Sequence, residues 1–179
     1  DLVNRDGKRP GGFCTSFPKY DRPYIFSNFN GTDHDITVLT HEAGHAFQNY
    51  SSTHLPLVNY QWPTMEAAEI HSMSMEFFTW PWMKKFFKKD TDKFKYKHIF
   101  GSLSFLPYGA CVDHFQHWVY ENPEVSPNDR KKKWLELESI YMPYRDYDGM
   151  VYIKDGGIWQ GQLHIYQMPF YYIDYTLAQ

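Results

Sequence analysis

Two cysteines, Cys14 and Cys111, are the only thiols in this 179-residue chain. They stand far apart and outside any Cys-x-x-Cys spacing, which argues against a disulfide scaffold and leaves free thiols in a reducing compartment as the expectation. No apolar run approaches the ~20 residues needed to cross a bilayer, so no membrane association is expected. There is no excess of positive charge either. The 18 Lys and Arg residues against 21 Asp and Glu residues leave a net charge of −3, and without a basic balance no nucleic-acid partner is expected. The chain holds no internal repeat and no low-complexity tract, and no signal-type leader opens it. These absences make a cytoplasmic location the expectation, although Asp1 in place of an initiator methionine leaves room for a preceding segment.

What the chain has in quantity is aromatic surface, 20% of its residues. A chain of this length is expected to form a single domain spanning residues 1–179 and to bury roughly 70% of its unfolded surface. The informative stretch is Thr40-His41-Glu42-Ala43-Gly44-His45-Ala46-Phe47, a His-Glu-x-x-His pattern inside a helical run. On a helix, residues four apart rise from one face about 5–6 Å apart at Cβ, so His41 and His45 can reach one ion. Glu42, one step around, stands beside that ion without ligating it, where a base must be to take a proton from an activated water. A catalytic zinc needs a third protein ligand and an open fourth position. The helix-like segment from Pro63 to Phe78 supplies acids for it, Glu66 and Glu69 among them, after a connecting loop from Ser51 to Trp62.

Before the motif, Gly12–Phe17 and Tyr24–Phe29 alternate and are separated by Pro18, Asp21 and Pro23, which predicts a β-hairpin. Such a hairpin either covers the core or offers an edge to an extended peptide. Asn30 to Asp33 marks a turn, Asp33 or Asp35 is placed to cap the motif helix, and Ile36, Leu39, Ala43, Ala46 and Phe47 give that helix an apolar face. Lys84 to Lys97 reads as an amphipathic helix with a solvated basic face. A long helical pattern from Thr91 to Tyr120 should break or kink at Pro107. His114 and His117 have only weak metal-site character, and Ser126-Pro127 starts another helix running to Pro143. Tyr144 to Gly157 reads as a loop. The closing segment, Gly161 to Tyr175, concentrates His164 and four tyrosines, either as half-buried packing or as donors lining a site.

The metal motif with its downstream acidic helix, the Gly-Gly-Phe-Cys-Thr segment and the closing His-Ile-Tyr-Gln-Met-Pro-Phe-Tyr-Tyr-Ile-Asp-Tyr together resemble the thimet-type (M3) zinc oligopeptidases, in their oligoendopeptidase F branch. The resemblance spans essentially the whole chain. It implies a mainly α, zincin-like catalytic core with a small β-hairpin preceding the motif helix, and a fragment of a longer, mostly helical protein. It implies one zinc ion per chain held by His41, His45 and Glu69, with Glu66 the competing acid and Glu76 a possible outer partner. It implies Glu42 as the base, and His164 with Tyr166, Tyr171 or Tyr172 as the groups that steady the tetrahedral intermediate. The implied activity is hydrolysis of short peptides by a zinc metallopeptidase. Two other readings stand beside it: a zinc-binding but catalytically silent fragment, and a structural helical domain in which the motif is accidental.

Overall fold

The computed structural model describes all residues from Asp1 to Gln179. Its first element is the expected antiparallel hairpin. Strand β1 (Phe13–Phe17) pairs with β2 (Arg22–Phe26), with Phe13 opposite Phe26 and Phe17 opposite Arg22. A short 3₁₀ turn, Pro18–Tyr20, joins them, and Asp21 closes it in the left-handed region at φ 50°, which aspartate tolerates better than most residues. Cross-strand rings hold the register: Phe13 stacks on Phe26 at 4.7 Å, and Phe17 meets Tyr24 edge-on at 5.7 Å. Strand β2 starts two residues earlier than its alternation indicates and takes in Pro23. A two-stranded sheet can accept a proline whose missing N–H would have faced outward.

Helix α1 (Asp33–Ser52) follows, with Thr32 at its N-cap. Asp35 braces the turn before the helix, because its carboxylate accepts the backbone N–H groups of Asn30 and Gly31 at 3.0 and 2.7 Å. The expected apolar face is not the buried one. Asp35, Thr40, Glu42, Gly44 and Asn49 are buried, while Phe47 is 64% exposed. The inward side of α1 carries mostly polar side chains, so hydrophobic periodicity misplaces it.

The segment after the loop is shorter as a helix than expected. A 3₁₀ turn at Met65–Ala67 precedes helix α2 (Ile70–Phe78), and Glu69 occupies the N-cap of α2. Helices α1 and α2 pack together with Gly44 at the crossing. A Cβ there would lie 2.5 Å from Ser72 Cα and 2.6 Å from the His71 carbonyl oxygen. The lysine-rich stretch is not one amphipathic helix. Helix α3 (Lys84–Phe87) stops at Lys88, which turns to φ 51°, and α4 (Thr91–Glu121) then runs through Pro107 without the expected break.

The chain divides into two compact units, one of residues 1–99 with 178–179, the other of residues 100–177. The first holds the hairpin, α1, α2, α3 and the start of α4. The second holds the rest of α4 together with α5 (Pro127–Tyr141), α6 (Leu163–Gln167) and most of α7 (Ile173–Ala178). Ser126 caps α5 by accepting the Asp129 N–H at 3.2 Å, with Pro127 in the first turn as expected. The loop from Tyr144 ends in a helical turn at Ile153–Gly157. Cys111, Phe115, Trp134, Leu137 and Met142 form the centre of the second unit's core. No helix is long and apolar enough to cross a membrane.

Candidate metal centre

Helix α1 carries His41 and His45 on one face, and the N-cap of α2 brings Glu69 to them. His41 Nε2 lies 3.0 Å and His45 Nε2 3.3 Å from Glu69 Oε2, and one ligand atom from each residue falls within 4.8 Å of the others. Glu69 is 2% exposed, and Ser72 donates its hydroxyl to Glu69 Oε2 at 2.7 Å, fixing the carboxylate's direction. Glu66, the competing acid, is exposed on the preceding 3₁₀ turn. His114 and His117 gather no such set. His114 bonds the Tyr141 hydroxyl, and His117 faces Asp113 at 3.6 Å.

Both histidines are oriented from behind. His41 Nδ1 meets Glu76 Oε1 at 2.8 Å, and His45 Nδ1 meets His71 Nε2 at 2.9 Å. Burial disfavours a charged His41, but the hydrogen bonds and charges of Glu69 and Glu76 outweigh it and hold the imidazole at about 10. For Glu76, burial works against the anion, while hydrogen bonds from His41 and His98 prevail and lower its pKa. Burial and then the neighbouring His45 charge push His71 down to about 4. His71 is therefore a neutral acceptor for the His45 Nδ1–H.

Glu42 is buried beside this group, and its Oε2 has no hydrogen-bond partner. Burial raises its pKa, partly offset by the charges of His41 and His45. The hairpin stands next to it. A Cβ on Gly12 would lie 3.6 Å from Glu42 Oε1, and burial followed by the Glu42 charge lifts the Cys14 thiol to about 11.

In the second unit, Gln162 Nε2 lies 2.7 Å from His164 Nδ1, and the Tyr175 hydroxyl lies 3.5 Å from His164 Nε2. The Tyr172 ring is 4.9 Å from the His164 ring. Tyr172 is buried, and desolvation raises its phenol well above the ordinary value. Tyr171 meets the Tyr175 ring at 5.3 Å, whereas Tyr166 lies against Trp159 and is half exposed. The structure thus groups His164 with Tyr172 and Tyr175, places Tyr171 beside Tyr175, and sets Tyr166 on a different neighbour. Tyr175, His71 and His98 were not legible as site residues. The two histidines lie outside the motif spacing, and Tyr175 differs in no local signal from the other tyrosines.

A mainly helical chain whose His-Glu-x-x-His helix meets a glutamate from the next helix has the architecture of a zincin-type catalytic core. The chain belongs to peptidase family M3, whose model matches residues 1–179. Among solved structures it is similar to PZ peptidase A, determined with an inhibitor, at 61% identity and a TM-score of 0.96; the match covers 99% of this chain and 32% of that one. It is similar to an oligoendopeptidase F at 60% identity, also with a TM-score of 0.96 and the same coverage of 99% and 32%. A third, an oligoendopeptidase F from Bacillus anthracis str. Ames, is 54% identical with a TM-score of 0.84, covering 99% of this chain and 28% of that one. The chain therefore spans about a third of the length of these relatives. No curated protein matches it.

Proposed function

We propose that residues 1–179 form the catalytic core of a cytoplasmic zinc metallopeptidase that hydrolyses short peptides. The observation that carries this reading is the convergence of His41, His45 and Glu69 on one point, with the unpartnered Glu42 carboxylate buried beside it. Two imidazole nitrogens and one carboxylate oxygen are a donor set typical of catalytic zinc, which keeps a fourth position open. Both imidazoles have partners on their far nitrogens, as metal-binding histidines generally do. The residues fit one zinc per chain. An accidental motif would not explain why Glu69, only 2% exposed, turns toward both histidines.

Zinc supplies Lewis acidity, polarising a carbonyl and lowering the pKa of water toward about 7. The protein's residues do the rest. Glu42 Oε2, raised by burial and free of hydrogen bonds, accepts the proton of the attacking water and returns it to the leaving amine. His41 and His45 keep their Nε2 atoms directed at the centre because their Nδ1 atoms are held by Glu76 and His71. His164 with one of Tyr166, Tyr171 or Tyr172 donates hydrogen bonds to the oxyanion that develops on the scissile carbonyl. The resemblance to the M3 family supports that last assignment.

Metal analysis and peptide cleavage test the reading together. Purified full-length protein should carry zinc near one equivalent, lose hydrolysis on chelation and regain it when zinc is returned. Residues 1–179 that bind zinc without hydrolysis, where the full-length protein cleaves, would favour the silent-fragment reading, and absence of stoichiometric zinc from the full-length protein would overturn the metal assignment.

A further inference from the structure

Behind Glu76 the hydrogen bonds continue in one direction. His98, on α4, lies 2.7 Å from Glu76 Oε2 through its Nε2, and Trp80 Nε1 lies 3.0 Å from His98 Nδ1. An indole N–H can only donate. His98 Nδ1 must therefore accept, its proton must sit on Nε2, and that proton is given to Glu76. Glu76 in turn uses Oε1 to accept from His41 Nδ1 at 2.8 Å. His41 Nδ1 is thereby committed as a donor, and Nε2 is the ring atom left facing Glu69.

The chain is also held mechanically. The His98 side chain is only 8% exposed and Glu76 13%. Phe94 stacks on the His98 ring at 5.7 Å and 8°, and the Phe77 ring lies 4.7 Å away on a tilt. Trp80 lies 5.2 Å from Phe77. With the proton on Nδ1 instead, His98 would point acceptor at acceptor toward Glu76 and donor at donor toward Trp80, so the Trp80 N–H excludes that tautomer.

We propose that Trp80 and His98 are positioning residues that set the tautomer and direction of His41 through Glu76, and so set the affinity of the centre for zinc. This rests on the zinc assignment above. Outer partners of metal-binding histidines typically change affinity by about tenfold to a hundredfold when removed, and a two-step relay acts through the same carboxylate.

The test measures zinc dissociation constants by chelator competition in the full-length protein, together with melting temperatures of the metal-free and zinc-loaded forms. His98→Leu should weaken zinc about tenfold to a hundredfold. His98→Gln should restore binding to within about threefold, because an amide oxygen can accept from Trp80 while its NH₂ donates to Glu76. Trp80→Phe keeps an aromatic ring and removes only the donor, so a loss of about threefold to tenfold is expected. The gap between loaded and metal-free melting temperatures should shrink in His98→Leu and Trp80→Phe. A packing role would instead lower both temperatures together and leave the constant unchanged, which overturns the proposal, as would failure of His98→Gln to restore binding. If the unaltered protein binds no zinc, the zinc assignment falls and the relay falls with it. If Glu69→Gln loses zinc while His98→Leu and Trp80→Phe do not, only the relay falls.

Discussion

Replacing Gly44 with alanine adds one methyl group at the point where α1 and α2 are closest. Its Cβ would lie 2.5 Å from Ser72 Cα, 2.6 Å from the His71 carbonyl oxygen and 3.0 Å from Met75 Cβ. Two of these neighbours are backbone atoms and cannot rotate away. Reaching the 3.4 Å at which ordinary contact begins requires about 0.9 Å of separation from Ser72. Alanine gains about 1 kcal/mol over glycine in a helix interior, whereas overpacking typically costs about 1–3 kcal/mol. The net loss of stability in the metal-free protein should therefore be modest, about 2 kcal/mol at most. Metal binding should suffer more. Zinc sites hold their distances to about ±0.2 Å, and Glu69 and His71 flank the first turn of the helix that must move. Zinc affinity should fall at least about tenfold, read by chelator competition, with denaturant unfolding of the metal-free form measured alongside. Unchanged zinc affinity, or a variant stabilised by the full propensity gain, would refute the close-crossing argument.

Glu69→Gln should lower zinc occupancy sharply in metal analysis, while Glu66→Gln leaves it intact. Glu42→Gln should bind zinc and peptide yet turn over about 10²–10⁴-fold more slowly; loss of its zinc would make Glu42 a ligand instead. Among Tyr166→Phe, Tyr171→Phe and Tyr172→Phe in the full-length enzyme, at least one should lower kcat about a hundredfold with KM little changed, and His164→Ala should behave similarly. Near-normal rates in all four would make the cluster a packing element. Burial holds the Cys111 thiol at about 12 against an ordinary 9, so at pH 8 it stays protonated in the folded protein and should resist alkylation until denaturant is added; prompt labelling of the native protein would contradict its burial.

The motif and the hairpin could be read in the sequence because each is a short-range pattern with a mechanism, whereas Glu69 was preferred over Glu66 only through the family resemblance. The spacing of His41 and His45 assumes only a helix, and Phe13 to Phe26 alternates around a proline-marked turn. The buried face of α1 could not be read that way. Periodicity assumes that apolar residues point inward, and here Thr40, Glu42 and Asn49 do. The break at Lys88 was hidden because it carries no glycine or proline, only a positive φ on a lysine. His71 and His98 escaped notice because their roles depend on which nitrogen of another residue they meet, which no spacing rule encodes. Gly44 did offer a signal, since a lone glycine inside a helical pattern usually marks a close approach.

All three residues proposed to hold zinc come from one stretch of chain, and the excursion between His45 and Glu69 is tied down midway. The Gln61 side chain donates to the carbonyls of Thr53 and Leu55 at 3.4 and 3.1 Å, and Gln48 donates to the Gln61 carbonyl at 3.1 Å. An ion joining the two ends closes a short ring, and the entropy of closing such a ring rises by only about 0.6 kcal/mol for each doubling of its length. Extra residues inserted at the exposed tip, between Leu57 and Tyr60, should therefore be nearly silent. Loss of the Gln61 amide would instead remove the two ties to Thr53 and Leu55, so in this segment amino-acid identity at one position is under tighter constraint than length.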